Sequence, residues 1–216
     1  MIHHFPNFVC WKEIFSLYNS DRDIVYLDSI LCFLLGLMLG QWGNYFSGPQ
    51  MAHRLVTKSP SKFYFLLAED IDLIDEDKKL ILPFKSSFEG DVDLLDFLET
   101  LPIGVTLIIG VSSPKQNVLA HYLHSLRPDV EYFCLGAAVK ITWGMKHANT
   151  RLRGTGLQWL EFLALHPQRT VMKISSSVHE SLRILSSFKS LKLFRNFVIV
   201  SKESTKFVKN NHELSG

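Results

Sequence analysis

Short, unbroken runs of apolar residues alternate along this chain with longer stretches in which apolar residues recur every three or four positions. Each of the two clearest helical patterns, Leu94–Leu101 and Val118–Leu126, ends shortly before a proline. Strands that alternate with helices predict an α/β fold with a mainly parallel sheet flanked by helices. Five apolar runs have the length of a buried strand: Ile24–Leu27, Phe63–Ala68, Leu80–Leu82, Val105–Gly110 and Tyr132–Leu135.

The pattern changes after Gly144, and the charge changes with it. Residues 1–150 hold 12 Lys and Arg against 17 Asp and Glu, whereas residues 151–216 hold 11 against 4. We therefore expect an α/β domain at 1–150 and a basic helical appendage at 151–216. A basic end on an acidic chain indicates an anionic partner, either a membrane surface or a nucleic acid. The elements expected in the appendage are helices at Gly156–Leu165 and Arg169–Val178, a basic amphipathic stretch at Glu180–Phe194 and a strand at Phe197–Val200.

The longest apolar run, Ile30–Gly40, has eleven residues. A membrane-spanning helix needs about 20, so this run predicts a buried core helix. No secretory signal is visible at the N-terminus. The three cysteines are far apart, without a CxxC pair, which favours a reduced, cytoplasmic compartment over a disulfide framework or a zinc site.

The segment Val105–Asn117 is the clearest candidate for chemistry. A hydrophobic strand ends at Gly110, a turn of small residues follows, and Pro114 stands where prolines open helices, with Ser113 placed to cap the helix. The start of such a helix suits a phosphate group, and Lys115 adds a positive charge there. An ordinary connection between a strand and a helix would show the same pattern.

Three other features carry two interpretations each. Asp28 follows an apolar run, where it can act as a general base at the carboxyl end of a strand or cap the next helix. The small residues 136–138 allow either close approach of a ligand or tight packing of a helix on the sheet. The basic and apolar residues of the C-terminal part suit a membrane interface or an ordinary solvated helix.

Several function classes have no positive sign in the sequence. The chain contains no HExxH, no G-x-S-x-G and no P-loop, so metalloprotease, hydrolase-triad and ATPase chemistry are not indicated. We expect no metal site and no cofactor. Nucleic-acid binding is disfavoured because no recognised module or aromatic–basic platform is present.

Four blocks, in this order, resemble the WecG/TagA/CpsF glycosyltransferases. The first block corresponds to a GxGxPKQE motif, the second to a glycine-rich GxGa motif, the third to GLEWL and the fourth to EPxR. The match covers residues 104–170. The blocks are Gly110–Asn117, Leu135–Ala138, Gly156–Leu160 and His166–Arg169.

The resemblance implies a Rossmann-like domain that transfers a sugar of the N-acetylmannosamine type, or a related one, from a UDP-sugar to a polyprenyl-diphosphate-linked acceptor. It implies an enzyme of surface polysaccharide synthesis on the cytoplasmic face of the membrane. By position, Asp28 matches the catalytic base, and Arg151, Arg153 and Arg169 match the acceptor side. The donor site would comprise Gly110, Ser113, Pro114, Lys115, Gln116, Asn117, Gly136, Ala137 and Ala138.

The chain departs from the family pattern at several acidic positions. Asn117, Gln158 and His166 stand where the family carries acidic residues. The alternative expectation is therefore an inactive relative that kept the fold and serves as a binding partner in a polysaccharide-assembly complex, because a fold does not guarantee a function.

Overall fold

The computed structural model describes residues 2–5, 11–17, 24–27, 30–40, 63–71, 74–82, 88, 90–112, 114–139, 163–164 and 167–199. Six strands form one sheet in the order β2-β1-β6-β5-β3-β4, and every pairing is parallel. The α/β fold with a parallel sheet is thereby confirmed. The strands are β1 (Ile2–Phe5), β2 (Ile24–Leu27), β3 (Phe63–Leu67), β4 (Lys79–Ile81), β5 (Thr106–Gly110) and β6 (Glu131–Cys134).

Helices flank the sheet, and two of them follow its last strand along the chain. A 3₁₀ turn at Glu76–Lys78 precedes β4, and a single helical turn at Ala137–Val139 follows β6. Asp91 caps the helix Val92–Thr100, since its carboxylate accepts a hydrogen bond from the backbone N–H of Leu94. The helices are α1 (Trp11–Leu17), α2 (Ile30–Met38), α3 (Val92–Thr100), α4 (Lys115–Leu126), α5 (Pro167–Ser186) and α6 (188–199).

The central strands are buried on both faces, which explains why their sequences are continuously apolar. On one face Leu66, Leu107 and Tyr132 pack with α3 and α4. On the other face Phe65 and Ile108 pack with the loop after β3 and the Ala137–Val139 turn. Successive strand residues contribute to opposite clusters, as the two-residue period of a strand requires.

A third apolar cluster joins the two ends of the chain. Ile184 of α5 and Phe194 and Phe197 of α6 are fully buried there against Leu35 of α2 and the half-buried Phe15 of α1. The rings of Phe15 and Phe197 meet edge to face with centroids 5.7 Å apart. The C-terminal helices are therefore packed onto the N-terminal ones.

Several elements differ from the expectations drawn from the sequence. The stretch expected at Glu180–Phe194 is not one helix, because residues 180–186 belong to α5, which runs on without a break from 167, and α6 begins at residue 188. The strand expected at Phe197–Val200 is wrong, because residues 197–199 form the last turn of α6. Burial of Phe197 and Val198 in the third cluster outweighs their preference for extended structure. The strand β1 was not expected at all. Within the described ranges, no helix combines the length and the apolar character that crossing a membrane would require.

Candidate functional site

At the carboxyl edge of the sheet, the strand connections diverge between β3 and β5. The chain leaves β3 towards β4 on one side, whereas it leaves β5 through α4 towards β6 on the other. In open α/β sheets, ligands bind at such a switch point, beyond the carboxyl ends of the strands. The loops that follow β3, β5 and β6 are therefore the first place to look for a site.

The turn from β5 into α4 is compact and tightly packed. A side-chain carbon at Gly110 would lie 2.9 Å from Cδ2 of Leu67 and 3.3 Å from Cγ2 of Val139, so the end of β5 admits only glycine without a shift of the core. Pro114 has φ −83° and ψ −4°, the right-handed helical region, and α4 begins at the next residue. The expectation that Pro114 opens this helix is confirmed.

The first amides of α4 are partly engaged within the turn itself. The N–H of Gln116 donates to the carbonyl of Ser112 at 3.2 Å, and the N–H of Asn117 donates to that of Pro114 at 2.9 Å. An anion at this helix start would therefore depend on the helix dipole and on side chains more than on these two amides.

Gln116 is the most unusual side chain at this edge. The residue is fully buried, and neither its Oε1 nor its Nε2 has a hydrogen-bond partner among the described residues. A buried amide without partners costs about 1–3 kcal/mol for each unsatisfied group, and such groups are rare in native proteins. A ligand that both donates and accepts hydrogen bonds would remove this cost.

The loop after β6 lies directly against Gln116. Gly136 has φ +54°, a left-handed conformation that favours glycine. A side-chain carbon at Gly136 would lie 3.3 Å from Oε1 of Gln116 and 3.5 Å from the carbonyl oxygen of Val111. Of the two interpretations of residues 136–138, the described contacts show tight packing: Ala138 belongs to the cluster beneath the sheet.

Two neighbours of Gln116 fix the start of α4. Asn117 is fully buried, and the thiol of Cys134 donates to the carbonyl of Gln116 over 3.6 Å, which ties β6 to the first turn of the helix.

The Nζ atom of Lys115 lies 4.7 Å from the centre of the Phe88 ring. The sequence reasoning missed Phe88, which belongs to none of the four blocks.

The first residue of β4, Lys79, is a buried cation that is paired with the loop after β3. Nζ of Lys79 lies 2.6 Å from Oδ1 of Asp70, and the Lys79 side chain is 2% exposed against 56% for Asp70. The same ammonium donates to the carbonyl of Ile71 at 3.4 Å. The hydrogen bond from Lys79 lowers the pKa of the Asp70 carboxyl below its ordinary value.

The structure brings together part of the predicted donor site. The end of β5, the start of α4 and the turn after β6 carry most of its residues: Gly110, Pro114, Lys115, Gln116, Asn117, Gly136 and Ala138, with the backbone of Ala137. Asp28, Ser113, Arg151 and Arg153 lie outside the described residues. Arg169 lies in the first turn of α5, but its side chain is also outside them.

Most apolar side chains of α5 are exposed to solvent. Five exposed apolar side chains recur at intervals of three or four and form a line along the helix, called here the α5 stripe: Val171, Ile174, Val178, Leu182 and Leu185. The side turned inward carries the buried Thr170 and Glu180 together with Ile184. Amphipathic helices of globular proteins normally show the reverse arrangement.

The start of α6 extends this apolar surface, but the rest of that helix does not. Phe188 is 84% exposed, whereas Phe194 is fully buried and Leu191 packs against the third cluster. The sequence left a membrane interface and a solvated helix open for the apolar residues of this part of the chain. Leu191 and Phe194 instead pack inside the protein.

No group of three or more His, Cys, Asp or Glu side chains that could hold a metal ion occurs in the described part of the chain. Comparisons of the chain with models of protein families, with curated proteins and with solved structures find no match. The resemblance to the WecG/TagA/CpsF family therefore rests on the four sequence blocks, of which the first two meet where Gln116 contacts Gly136.

Proposed function

We propose that the protein is a glycosyltransferase that takes a sugar from a UDP-sugar, with the diphosphate at the start of α4 and the side chain of Gln116 contacting the donor. The single observation that carries this proposal is the fully buried amide of Gln116 at the carboxyl edge of a parallel sheet, where neither of its polar atoms has a partner among the described residues. Ligand sites of α/β folds lie at this edge, and an unsatisfied buried amide calls for a polar ligand.

The proposed reaction is a single displacement with inversion at the sugar. An acceptor hydroxyl attacks the anomeric carbon, Asp28 takes the hydroxyl proton as general base, and the bond to UDP breaks so that UDP leaves with the electron pair. Lys115 and the positive end of the α4 dipole would stabilise the charge that develops on the diphosphate. The donor sugar is of the N-acetylmannosamine type or related.

The acceptor in this proposal is a polyprenyl-diphosphate-linked sugar at the cytoplasmic face of a membrane. The α5 stripe and Phe188 provide exposed apolar surface. Residues 167–199 contain six Lys and Arg residues, and their only acidic residue is the buried Glu180. An exposed apolar surface whose neighbouring exposed charges are all positive suits an anionic bilayer. Arg151, Arg153 and Arg169 would then bind the lipid diphosphate.

A substitution at Asp28 tests the catalytic part. Asp28→Asn is expected to lower transfer by about 100-fold or more, since general-base catalysis contributes typically 10²–10⁴-fold, while UDP affinity stays within about twofold. The measurements are product formation from a UDP-sugar and calorimetric titration with UDP. Unchanged turnover would reduce Asp28 to a helix cap.

Substitutions on the α5 stripe test the membrane part. Truncation of the tail is unsuitable because Ile184, Phe194 and Phe197 fill the third cluster. The double variant Val178→Ser/Leu182→Ser is expected to weaken binding to vesicles that contain phosphatidylglycerol by about tenfold or more, since each buried apolar side chain contributes about 1.5–3 kcal/mol.

Its matched control is Ile103→Ser, which removes an apolar side chain that is 86% exposed but lies outside α5 and α6. This control is expected to sediment with vesicles like the wild type, and binding of both proteins is expected to fall as salt rises. Equal sedimentation of the stripe variant and the control would show that the stripe does not contact the bilayer.

The second candidate is an inactive relative that binds nucleotide without transfer. The observation in its favour is the loss of the family acids at Asn117, Gln158 and His166. UDP binding by a wild-type protein that shows neither transfer nor hydrolysis across a panel of UDP-sugars would select this candidate over the enzyme.

A further inference from the structure

The ammonium group of Lys115 lies over an aromatic ring. Its Nζ atom is 4.7 Å from the centroid of Phe88, within the roughly 6 Å over which the electron-rich ring face attracts a cation. Lys115 is the first residue of α4, so this contact acts on the side chain that the proposed function assigns to the donor diphosphate.

Phe88 is itself held in place by the turn that starts α3. The N–H of Asp91 donates to the carbonyl of Phe88 at 3.3 Å, and Gly90 has φ +74°, a left-handed conformation that favours glycine. Asp91 in turn caps α3. The Phe88 ring also packs against the apolar cluster of α3 and α4. The position of the Phe88 ring is thus restricted both by the hydrogen bond of its backbone carbonyl and by the packing of its side chain.

A fixed ring reduces the freedom of a flexible lysine. A lysine side chain can adopt many rotamers, and much of this freedom is lost when the ammonium binds a ligand. A contact that restricts the side chain beforehand lowers this loss and so raises affinity without touching the ligand. The ring face attracts the ammonium but brings no negative charge to it.

We propose that Phe88 is a positioning residue that holds the Lys115 ammonium at the start of α4 for the diphosphate of the nucleotide. The inference rests on the proposed function, because it assigns Lys115 a diphosphate ligand. It adds a residue outside the four sequence blocks and predicts that an aromatic side chain, and not merely an apolar one, is needed at position 88.

The test compares UDP with uridine, which lacks the diphosphate. Phe88→Leu keeps an apolar side chain but removes the ring, and it is expected to weaken UDP binding roughly two- to fivefold without changing uridine binding. Phe88→Trp restores a ring face and is expected to match the wild type. Phe97→Leu is the control for lost packing, since Phe97 is also half-buried against the same cluster, and it is expected to change neither affinity.

A double variant and a spectrum separate positioning from stability. In a Lys115→Met background, Phe88→Leu is expected to have no further effect on UDP binding. In the wild type, the ring current of Phe88 is expected to shift the Lys115 side-chain methylene resonances upfield, and Phe88→Leu is expected to remove this shift.

Three results would overturn the inference: no ring-current shift, equal weakening of UDP and uridine by Phe88→Leu, or the same weakening of UDP with and without Lys115. A wild-type protein that does not bind UDP would overturn the proposed function and this inference together. A wild type that binds UDP, with Phe88→Leu unaffected, would overturn the inference alone.

Discussion

Replacement of Gln116 by methionine is expected to make the protein more stable and less able to bind UDP. Methionine has nearly the shape of glutamine but no polar group that needs a partner. The fully buried Oε1 and Nε2 atoms are unpartnered among the described residues, so their removal is expected to raise the free energy of unfolding by about 1–3 kcal/mol. Loss of the amide is expected to weaken UDP binding by about tenfold or more.

The two effects are measured by urea unfolding and by calorimetric titration. Val118→Met is the matched control, because Val118 lies two positions along α4 and is exposed; it is expected to change neither quantity. A Gln116→Met protein that is less stable and binds UDP unchanged would make Gln116 a structural residue and would remove the main support for the proposed site. A substitution that raises the free energy of unfolding and lowers ligand affinity is typical of residues that are kept for function.

Loss of the carboxylate at Asp70 is expected to destabilise the protein more than loss of the whole ion pair. Asp70→Asn removes the negative charge that lies 2.6 Å from an ammonium that is 2% exposed, and loss of an opposite charge beside a buried charge is costly. The double variant Asp70→Asn/Lys79→Met replaces the buried charge with an apolar side chain, and it is expected to recover most of the stability that the single variant loses.

An exposed pair in the same loop is the control. Lys78 and Asp75 lie 3.3 Å apart with side chains 31% and 71% exposed, and Asp75→Asn is expected to have no measurable effect because exposed ion pairs contribute little. Urea unfolding midpoints compare the four proteins. A double variant less stable than Asp70→Asn would contradict the argument.

The same pair predicts a dependence on pH. Because the Asp70 pKa in the folded protein is lowered from its ordinary 3.8, the folded state holds this proton less tightly than the unfolded state. The contribution of the pair is therefore fully present above about pH 4–5 and is lost as pH falls through the lowered pKa. Asp70→Asn is expected to unfold with a shallower dependence on pH below about pH 4 than the wild type.

The central strands were predictable from the sequence within one residue at their ends, whereas β1 was not. Strands β3, β5 and β6 are buried on both faces, so beyond Thr106 and Glu131, which begin β5 and β6, their residues are apolar or aromatic. Strand β1 has the sequence Ile-His-His-Phe, which has neither a continuous apolar run nor strict alternation. It is a strand because β2 and β6 pair with it from both sides, and no local pattern reports such pairing.

The site was predictable only in outline. The turn of small residues before Pro114 indicated the position of the helix start, because turns and prolines act locally. The burial of Gln116 arises when the loop after β6 comes to lie on the first turn of α4, with Gly136 against the amide. The contact of Phe88 with Lys115 joins positions 27 residues apart in the chain. The burial of Gln116 and the contact of Phe88 with Lys115 both arise only when the strands of the sheet have paired, and so no local sequence pattern predicts them.

The place of β1 between β2 and β6 has a consequence for the order of folding. Residues 63–134 contain β3, β4, β5 and β6, which pair with one another without the rest of the chain. By contrast, Ile2 pairs with Phe133, so β1 can pair with β2 early but must wait for its second partner until β6 has been synthesised. Pairings between residues this distant in sequence form late and slowly. During synthesis the edge of β1 that pairs with β6 is therefore exposed to chaperones and proteases for longer than any other paired edge of the sheet.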